Sequence, residues 1–158
     1  MFRPLKRSRQ ALSREECLRV LTEETRGVLS VLGDDGYPYG MPMNHFCDPE
    51  TGLVYFHCGR GGHRADALAR CDKASFCVYD HGVRAEGDWA LTVSSVIVFG
   101  RIEVIEDRGR VYDAARRLGA KFPCGAEYIE QEIAKSGPAT VLLALRPEHI
   151  SGKRVHEA

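Results

Sequence analysis

A glycine-rich stretch in the first half of the chain carries the residues best suited to bind an anion. In VYFHCGRGGHRADAL, residues 54–68, an apolar segment is followed by glycines and then by an amphipathic helical segment. Free amides at a helix N-terminus, a loop open to close approach, and the cations Arg60, His63 and Arg64 favour a phosphate site. The alternative is a solvent-exposed turn with ordinary surface charges.

Two common nucleotide-binding motifs do not fit this stretch. The P-loop pattern GxxxxGK[ST] is absent from the sequence. The dinucleotide pattern GxGxxG fails because position 64 is arginine, and the segment RADALAR is short for a parallel crossover. Asp80 lies near the distance expected of a ribose-binding acid, but no strand–helix–strand repeat follows. The sequence therefore favours an anion site outside both folds.

Several further residues are candidates, each with a structural alternative. His57 ends an apolar segment and is either a buried histidine bonded to a carbonyl or a catalytic group. Pro42 inside a strand indicates an edge or the approach of a ligand, because proline cannot donate to a strand ladder. Asn44 also fits a turn. Of Ser94 and Ser95, one either faces solvent or offers a hydroxyl to phosphate.

The cysteines and histidines show no pattern typical of a metal site or a thiol nucleophile. No CxxC occurs, and His45, Cys47 and His57 lack compact ligand spacing, so no metal is expected. Cys58 follows His57 directly, but neighbouring strand residues point to opposite faces, which argues against a thiolate–imidazole pair. We expect the six cysteines to be reduced in a cytoplasmic protein without a secretory leader.

Length and composition favour one globular domain over residues 1–158, with 44% hydrophobic residues to form a core. The 22 basic and 22 acidic residues balance, so neither nucleic acid nor a membrane surface is expected as a partner. No apolar run approaches the roughly 20 residues of a membrane span. Residues 1–12, which include RPLKRSR, are predicted to be a flexible arm and residues 147–158 a polar tail.

The first third of the chain predicts a helix followed by an antiparallel meander. Ser13 and Glu16 form a capping box for a helix over residues 14–25, and Gly27 is predicted to stop it. Two apolar runs flank Asp34-Asp35-Gly36, a strong hairpin signal. A second turn over residues 47–52 leads into a third apolar run, and we expect these three strands to pair in order.

The remaining elements predict an α+β protein with an antiparallel sheet. Strands are expected over residues 74–80, 91–107 and 139–150, with a bulge or bend at Gly100. Two helical segments, RGRVYDAARRLGAKF and AEYIEQEIAKSG, precede the last strand. Short turns and the lack of a parallel repeat favour a small barrel.

Four segments in this order resemble the FMN-binding split-barrel proteins: GVLSVLGDDGYPYGMPMNHF, LVYFHCGRGGHRADALAR, ASFCVYD and SVIVFGRIEVIED. They look like the pyridoxamine-5′-phosphate-oxidase-like branch that includes the 5-nitroimidazole-resistance (Nim) proteins. The resemblance covers about residues 14–146. It implies an antiparallel Greek-key split β-barrel of about six strands with flanking helices, and FMN bound at a homodimer interface.

On the phosphate side, the resemblance makes Arg64 the principal cation, where family members often have lysine. It places Gly62 and His63 at the junction of loop and helix, and Ser95 on a strand beside the phosphate. The family often shows cysteine where this chain has Gly87.

On the ring side, the resemblance places Pro42, Met43 and Asn44 along the isoalloxazine edge, largely through main-chain groups. His57 falls close to the ring and is the candidate catalytic residue. Trp89 is expected as an aromatic wall supplied by the second subunit.

The function implied is that of an FMN-dependent oxidoreductase, with NAD(P)H as a possible donor and a small electron acceptor. In the Nim branch that acceptor is a nitroimidazole. Three alternatives remain: a pyridoxamine-phosphate oxidase, a haem-binding or haem-degrading relative with His57 as axial ligand, and an FMN-binding module without turnover.

Overall fold

The computed structural model describes residues 2–157, which form a seven-stranded antiparallel sheet with four flanking α-helices. The helices are α1 (Arg14–Glu23), α2 (His63–Arg70), α3 (Arg108–Gly119) and α4 (Ala126–Ser136). The strands are β1 (Arg26–Leu32), β2 (Pro38–Asn44), β3 (Phe46–Cys47), β4 (Val54–Gly59), β5 (Lys73–Tyr79), β6 (Thr92–Ile105) and β7 (Thr140–His156). Within the described part of the chain, no helix has the length and apolar character needed to cross a membrane.

The sheet has the strand order β2-β1-β5-β6-β7-β4-β3 and curls into a half-barrel around its main core, and a second apolar cluster lies between the sheet and α3. Alternate residues of the strands point inward, where Phe56, Phe76 and Leu145 are fully buried. The predicted α+β fold with an antiparallel split barrel is therefore confirmed. The sheet has seven strands rather than about six because the two-residue strand β3 adds to the edge beside β4.

The start of the first helix follows the prediction and its end does not. The Ser13 hydroxyl accepts a hydrogen bond from the Glu16 amide at 3.1 Å, and the Glu16 carboxylate accepts one from the Ser13 amide at 2.8 Å. Gly27 is not the helix stop, because it lies within β1. A Cβ there would lie 2.5 Å from the Cys77 carbonyl oxygen, so the glycine permits close strand packing.

The predicted hairpin is confirmed, whereas the predicted three-stranded meander is wrong. β1 and β2 pair antiparallel across the turn Asp34–Gly36, where Asp35 has φ 54°. The third apolar run forms β4, which pairs with β7 and β3 instead of β2. The reason is that residues 141–145 of β7 are buried throughout, with α3 on the outer side, so this part of β7 gives β4 an apolar partner.

The two longest strands, β6 and β7, pair along nearly their whole length. Their register shifts between Phe99 and Gly100, which confirms the predicted irregularity. β7 continues past Ile150 to His156, through the segment expected to be a polar tail. Its polar residues there alternate with inward-facing ones: Lys153 is exposed and Gly152 is buried.

Residues 2–12, expected to form a flexible arm, contact the barrel. The Phe2 ring stacks on His149 at 4.9 Å between centroids. The Leu12 amide donates to the Gly152 carbonyl at 2.9 Å. This segment therefore lies against β7 in the structure.

Candidate functional site

The glycine loop between β4 and α2 is open to solvent. Gly62 is the N-cap of α2 with φ 92°, a conformation that favours glycine, and no side chain caps the helix. A Cβ added at Gly59, Gly61 or Gly62 would meet no atom within 4 Å. An uncapped helix N-terminus behind an open loop is suited to bind an anion.

The cations of this loop differ in how their charges are balanced. The Arg60 guanidinium forms an ion pair with Glu106 at 2.7 Å. The Arg64 guanidinium donates to the Gly59 carbonyl at 2.9 Å, and no described carboxylate lies within ion-pair distance of it. Arg64 is therefore the loop arginine with charge available for an anionic ligand.

His63 belongs to a cluster that joins α2 to the β1–β2 hairpin. Its ring stacks on Tyr39 with centroids 4.1 Å apart and lies 3.4 Å from the Asp34 carboxylate. Arg70 pairs with the same carboxylate at 2.6 Å. The His63 side chain is engaged with the protein, so its backbone amide is the group better placed to meet a ligand.

A cavity of about 420 Å³ lies between α3, α4 and the ends of β2 and β4, and we call it the α3–α4 cavity. It is lined by Asn44, His57, Val111, Tyr112, Ala115, Leu118, Gly119, Phe122, Cys124, Tyr128, Ile129, Glu132, Ile133, Ser136, Gly137 and Thr140. Two predicted site residues, Asn44 and His57, thus meet in one cavity. The lining residue Thr140 pairs with Gly59 across the sheet, so one wall of the cavity lies beside the residue at which the glycine loop begins.

His57 and Cys58 point to different sides of β4. The His57 side chain is exposed to the cavity, and the surrounding protein lowers its pKa by desolvation, which keeps it neutral at pH 7. Cys58 lines a smaller pocket of about 170 Å³ beside Arg64, and burial raises the pKa of its thiol. The predicted absence of a His57–Cys58 nucleophile pair agrees with this geometry.

Asn44 is the last residue of the edge strand β2 and lines the cavity. Its side-chain oxygen accepts a hydrogen bond from the Arg26 guanidinium at 3.0 Å, across the β1–β2 pair. Pro42, two residues earlier, is exposed on the outer face. Met43 points inward against the core, so its contribution to a ligand is limited to the main chain.

Arg108, at the first position of α3, holds one end of the cavity. Its guanidinium donates to the carbonyls of Gly137 and Thr140, both at 2.9 Å, and to that of Pro138 at 3.4 Å. It also donates to the Glu106 carbonyl at 2.9 Å. Since Gly137 and Thr140 line the cavity, this one side chain fixes the segment between α4 and β7.

Lys121, which follows α3, and His45, which follows β2, fix the backbone at the opposite end of the cavity. The Lys121 ammonium donates to the Glu24 and His45 carbonyls, and burial lowers its pKa. The His45 imidazole is fully buried and donates to the Leu21 carbonyl at 2.8 Å. Burial and the nearby Lys121 lower the pKa of His45 to about 4.

Ser95 and Trp89 lie away from the glycine loop of the same chain. Ser95 is half-buried on the outer face of β6, between Tyr79 and Lys153, whereas Ser94 is buried and its hydroxyl accepts from Arg154. Ser95 is ten residues along β6 from Ile105, which is roughly 33 Å of strand. Trp89 is 73% exposed in the loop before β6.

The α3–α4 side of the cavity was not predicted from the sequence. The sequence predicts that Leu118, Phe122, Ile129 and Ile133 lie in two helical segments, and it indicates no site for them. Aromatic and aliphatic residues in two consecutive helices indicate that each helix has a buried face. This pattern does not show whether that face packs against a core or lines a cavity.

Comparisons with known proteins agree with this fold. The family model described as pyridoxamine 5′-phosphate oxidase matches residues 13–154. No curated protein sequence matches the chain. Among solved structures, a conserved hypothetical protein from Mycobacterium tuberculosis has TM-score 0.78 and 17% identity, covering 95% of this chain and 90% of that one.

Two further solved structures carry functional names. A protein from Bacteroides thetaiotaomicron named for 5-nitroimidazole antibiotic resistance has TM-score 0.72 and 15% identity, covering 93% of this chain and 87% of its own. An FAD-binding protein from Mesorhizobium loti has TM-score 0.67 and 22% identity, covering 92% and 97%. At these identities the similarity shows a shared fold.

Proposed function

Since this chain belongs to the pyridoxamine 5′-phosphate oxidase family, we propose that it is a flavoprotein that binds FMN and reduces a small acceptor. The membership confirms the resemblance seen in the sequence motifs. The observation that carries the proposal is the open glycine loop with Arg64, next to a cavity that holds Asn44 and His57. The names of the flavin-binding and nitroimidazole-resistance neighbours support the same class.

The glycine loop would hold the FMN phosphate. Arg64 would exchange its bond to the Gly59 carbonyl for contacts with the phosphate, and the amides of Gly62 and His63 would donate to it from the helix N-terminus. The described loop has one such cluster, which suits a single phosphate rather than the pyrophosphate of FAD. This is why we propose FMN even though a neighbour is named for FAD.

The isoalloxazine ring would lie against Asn44, His57 and the main chain of Pro42 and Met43. Bound FMN supplies electron transfer from a donor such as NAD(P)H to the acceptor. The neutral His57 can donate or accept one hydrogen bond at the ring or acceptor. The apolar helices α3 and α4 exclude water from that end of the site.

We propose that the ring lies at a homodimer interface, because one outward-facing row of the sheet is apolar and only partly buried in the described chain. One row across the sheet runs through Pro42, Val28, Cys77 and Ile97, in direct register. Val28 is 36% exposed on this face. In a symmetric dimer the same face packs on its copy, and each subunit can lend Trp89 and Ser95 to the other's flavin.

The absorption spectrum of the protein, purified from the cytoplasm of its expression host, tests this proposal. We expect flavin bands, and heat release followed by chromatography should yield FMN. Recovery of FAD would overturn the choice of FMN, and a haem Soret band would favour the haem-binding alternative with His57 as ligand. A protein that stays colourless and does not bind added flavin would overturn the flavoprotein assignment.

Turnover is tested separately from binding. We expect NAD(P)H oxidation that depends on an added nitro compound, such as a nitroimidazole. A flavin-loaded protein without turnover, with any donor and acceptor tried, would favour the non-catalytic FMN-binding module.

A further inference from the structure

The α3–α4 cavity has an unusual charge balance for a chain with 22 basic residues. None of its described lining residues is lysine or arginine, and Glu132 is the single acidic one. Its histidine, His57, is kept neutral at pH 7 because desolvation lowers its pKa. The rest of the lining is aliphatic, aromatic or uncharged polar.

The cations near the cavity walls contact other parts of the protein, and none of them lines the cavity. Arg108 donates to four backbone carbonyls, and Lys121 donates to two. Arg116 forms an ion pair with Glu130 at 2.6 Å, and Arg117 pairs with Asp48 at 3.3 Å. Arg26 donates to the side-chain oxygen of the lining residue Asn44 at 3.0 Å, and the Arg108 Nη2 is buried without a hydrogen-bond partner among the described residues, but neither side chain lines the cavity. An anion that enters the cavity would therefore lose hydration without meeting a cation among the lining residues.

Lys135 is a further cation to consider, because it faces Glu132 one turn along α4. Its ammonium lies 4.0 Å from the Glu132 carboxylate and is 78% exposed, outside the set of lining residues. A pair this long and this exposed is weak, since solvent screens it. The acidic character of the cavity mouth therefore persists.

We propose that the α3–α4 cavity selects by charge: it takes flat, uncharged or cationic aromatic molecules and rejects carboxylates and phosphates, with Glu132 as the specificity-determining residue. The inference rests on the proposed function in one respect, because it takes the bound molecule to be the electron acceptor of the flavin. A volume of about 420 Å³ falls within the range of small-molecule pockets.

The two ends of the site then favour ligand groups of different charge. Phosphate is drawn to the glycine loop, where the Arg64 charge is unbalanced, and uncharged aromatic groups are drawn to the cavity. A substrate that carries its own phosphate, such as pyridoxamine 5′-phosphate, meets no cation among the residues that line the cavity. This separates the chain from an oxidase of phosphorylated pyridoxamine.

Three nitrobenzenes of similar size test the proposal: 4-nitrobenzamide is neutral, 4-nitrobenzoate is anionic and 4-nitrobenzylamine is cationic. Calorimetric titration of the purified protein with its bound cofactor gives each affinity without requiring turnover. We expect 4-nitrobenzoate to bind at least about tenfold more weakly than the other two, because its charge is desolvated without a partner. Equal affinity of the benzoate and the amide would overturn the proposal.

Charge reversal assigns the effect to Glu132. In Glu132→Lys, we expect the affinity for 4-nitrobenzoate to rise about fivefold relative to 4-nitrobenzylamine, the scale of one exposed charge pair. Glu127→Lys is the matched control, because Glu127 is exposed on the same helix and does not line the cavity. The same shift in both variants would refute the role of Glu132.

Flavin content measured on the same samples keeps this result separate from the proposed function. Charge-selective binding by a protein that holds no flavin would support the cavity inference and overturn the flavoprotein assignment. A flavin-loaded protein that binds all three compounds equally would do the reverse.

Discussion

The two ends of the proposed site are held in place in different ways. At the loop end, the backbone of Gly59, Gly61 and Gly62 is open, and the contacts of Arg60 and Arg64 are exposed. At the cavity end, the partly buried Arg108 and Lys121 bind backbone carbonyls.

The difference follows from what each end has to do. A loop that receives a charged group must exchange its existing hydrogen bonds for ligand contacts. Breaking those hydrogen bonds must therefore cost little free energy, as it does where water can replace the partner. A cavity that receives an apolar group gains most when its walls are already in place. We therefore expect mutations at the cavity end to change folding stability and mutations at the loop end to change cofactor affinity.

The largest effect is expected from Arg108→Ala, which removes the donor to four backbone carbonyls. We expect the free energy of unfolding to fall by about 4 kcal/mol, because partly buried carbonyls lose a charged donor. Urea unfolding measures it. Arg110→Ala is the control, since Arg110 is exposed on the same helix and lies 3.8 Å from Glu103. Similar losses in both variants would contradict the role given to Arg108.

The pH dependence of stability tests the buried histidine of the same end. His45 has a pKa of about 4 in the folded protein and an ordinary value of 6.5. Because the folded-state pKa is lowered, the unfolded chain binds the proton more readily, and stability is fully present above pH 6.5. It should be lost as the pH falls from 6.5 to 4, by about 3 kcal/mol for His45 alone.

Unfolding in urea at a series of pH values checks this, with His45→Gln as the comparison. Glutamine keeps a donor for the Leu21 carbonyl but has no proton to gain in this range. We expect the variant to be less stable at pH 7 and to show a flatter profile between pH 6.5 and 4. An equally steep profile in both proteins would assign the acid sensitivity to other groups.

At the loop end, Arg64→Ala should weaken FMN binding while leaving stability nearly unchanged. A charge-assisted hydrogen bond contributes about 1.5–3 kcal/mol, which corresponds to roughly a tenfold to hundredfold loss of affinity. Arg60→Ala should have a smaller effect, because Arg60 is paired with Glu106. Fluorescence titration with FMN measures both. A larger loss in the Arg60 variant would place the phosphate on the other side of the loop.

The smallest expected effect concerns the second subunit. Trp89→Ala should reduce FMN affinity about twofold to tenfold, the scale of one aromatic contact. Because the ring is proposed to lie between subunits, bound FMN should stabilise the dimer and dilution should weaken FMN binding. Light scattering and flavin fluorescence across a dilution series check this linkage. A monomer that holds FMN with full affinity would exclude the interface.

Local signals in the sequence were sufficient for most individual elements. The capping box at Ser13, the Asp-Gly turn at Gly36 and the irregularity at Gly100 each depend on a few neighbouring residues, and all three are present. The strand, glycine loop and short helix around Arg64 follow from the same kind of local pattern. The prediction that Gly27 ends the first helix is wrong, because a glycine that ends a helix and one that permits close strand packing look alike in sequence.

The sequence by itself determined the element types, the antiparallel class and the cationic glycine loop, because backbone propensity and turn chemistry act over a few residues. Only the tertiary structure decided that β4 pairs with β7, that Arg64 rather than Arg60 keeps an unbalanced charge, and that α3 and α4 enclose a cavity with Asn44 and His57. Those outcomes depend on which distant surfaces bury each other and which charges then meet. Partners of this kind, such as Arg60 and Glu106, are set by the curl of the whole sheet and have no signature in the spacing of residues along the chain.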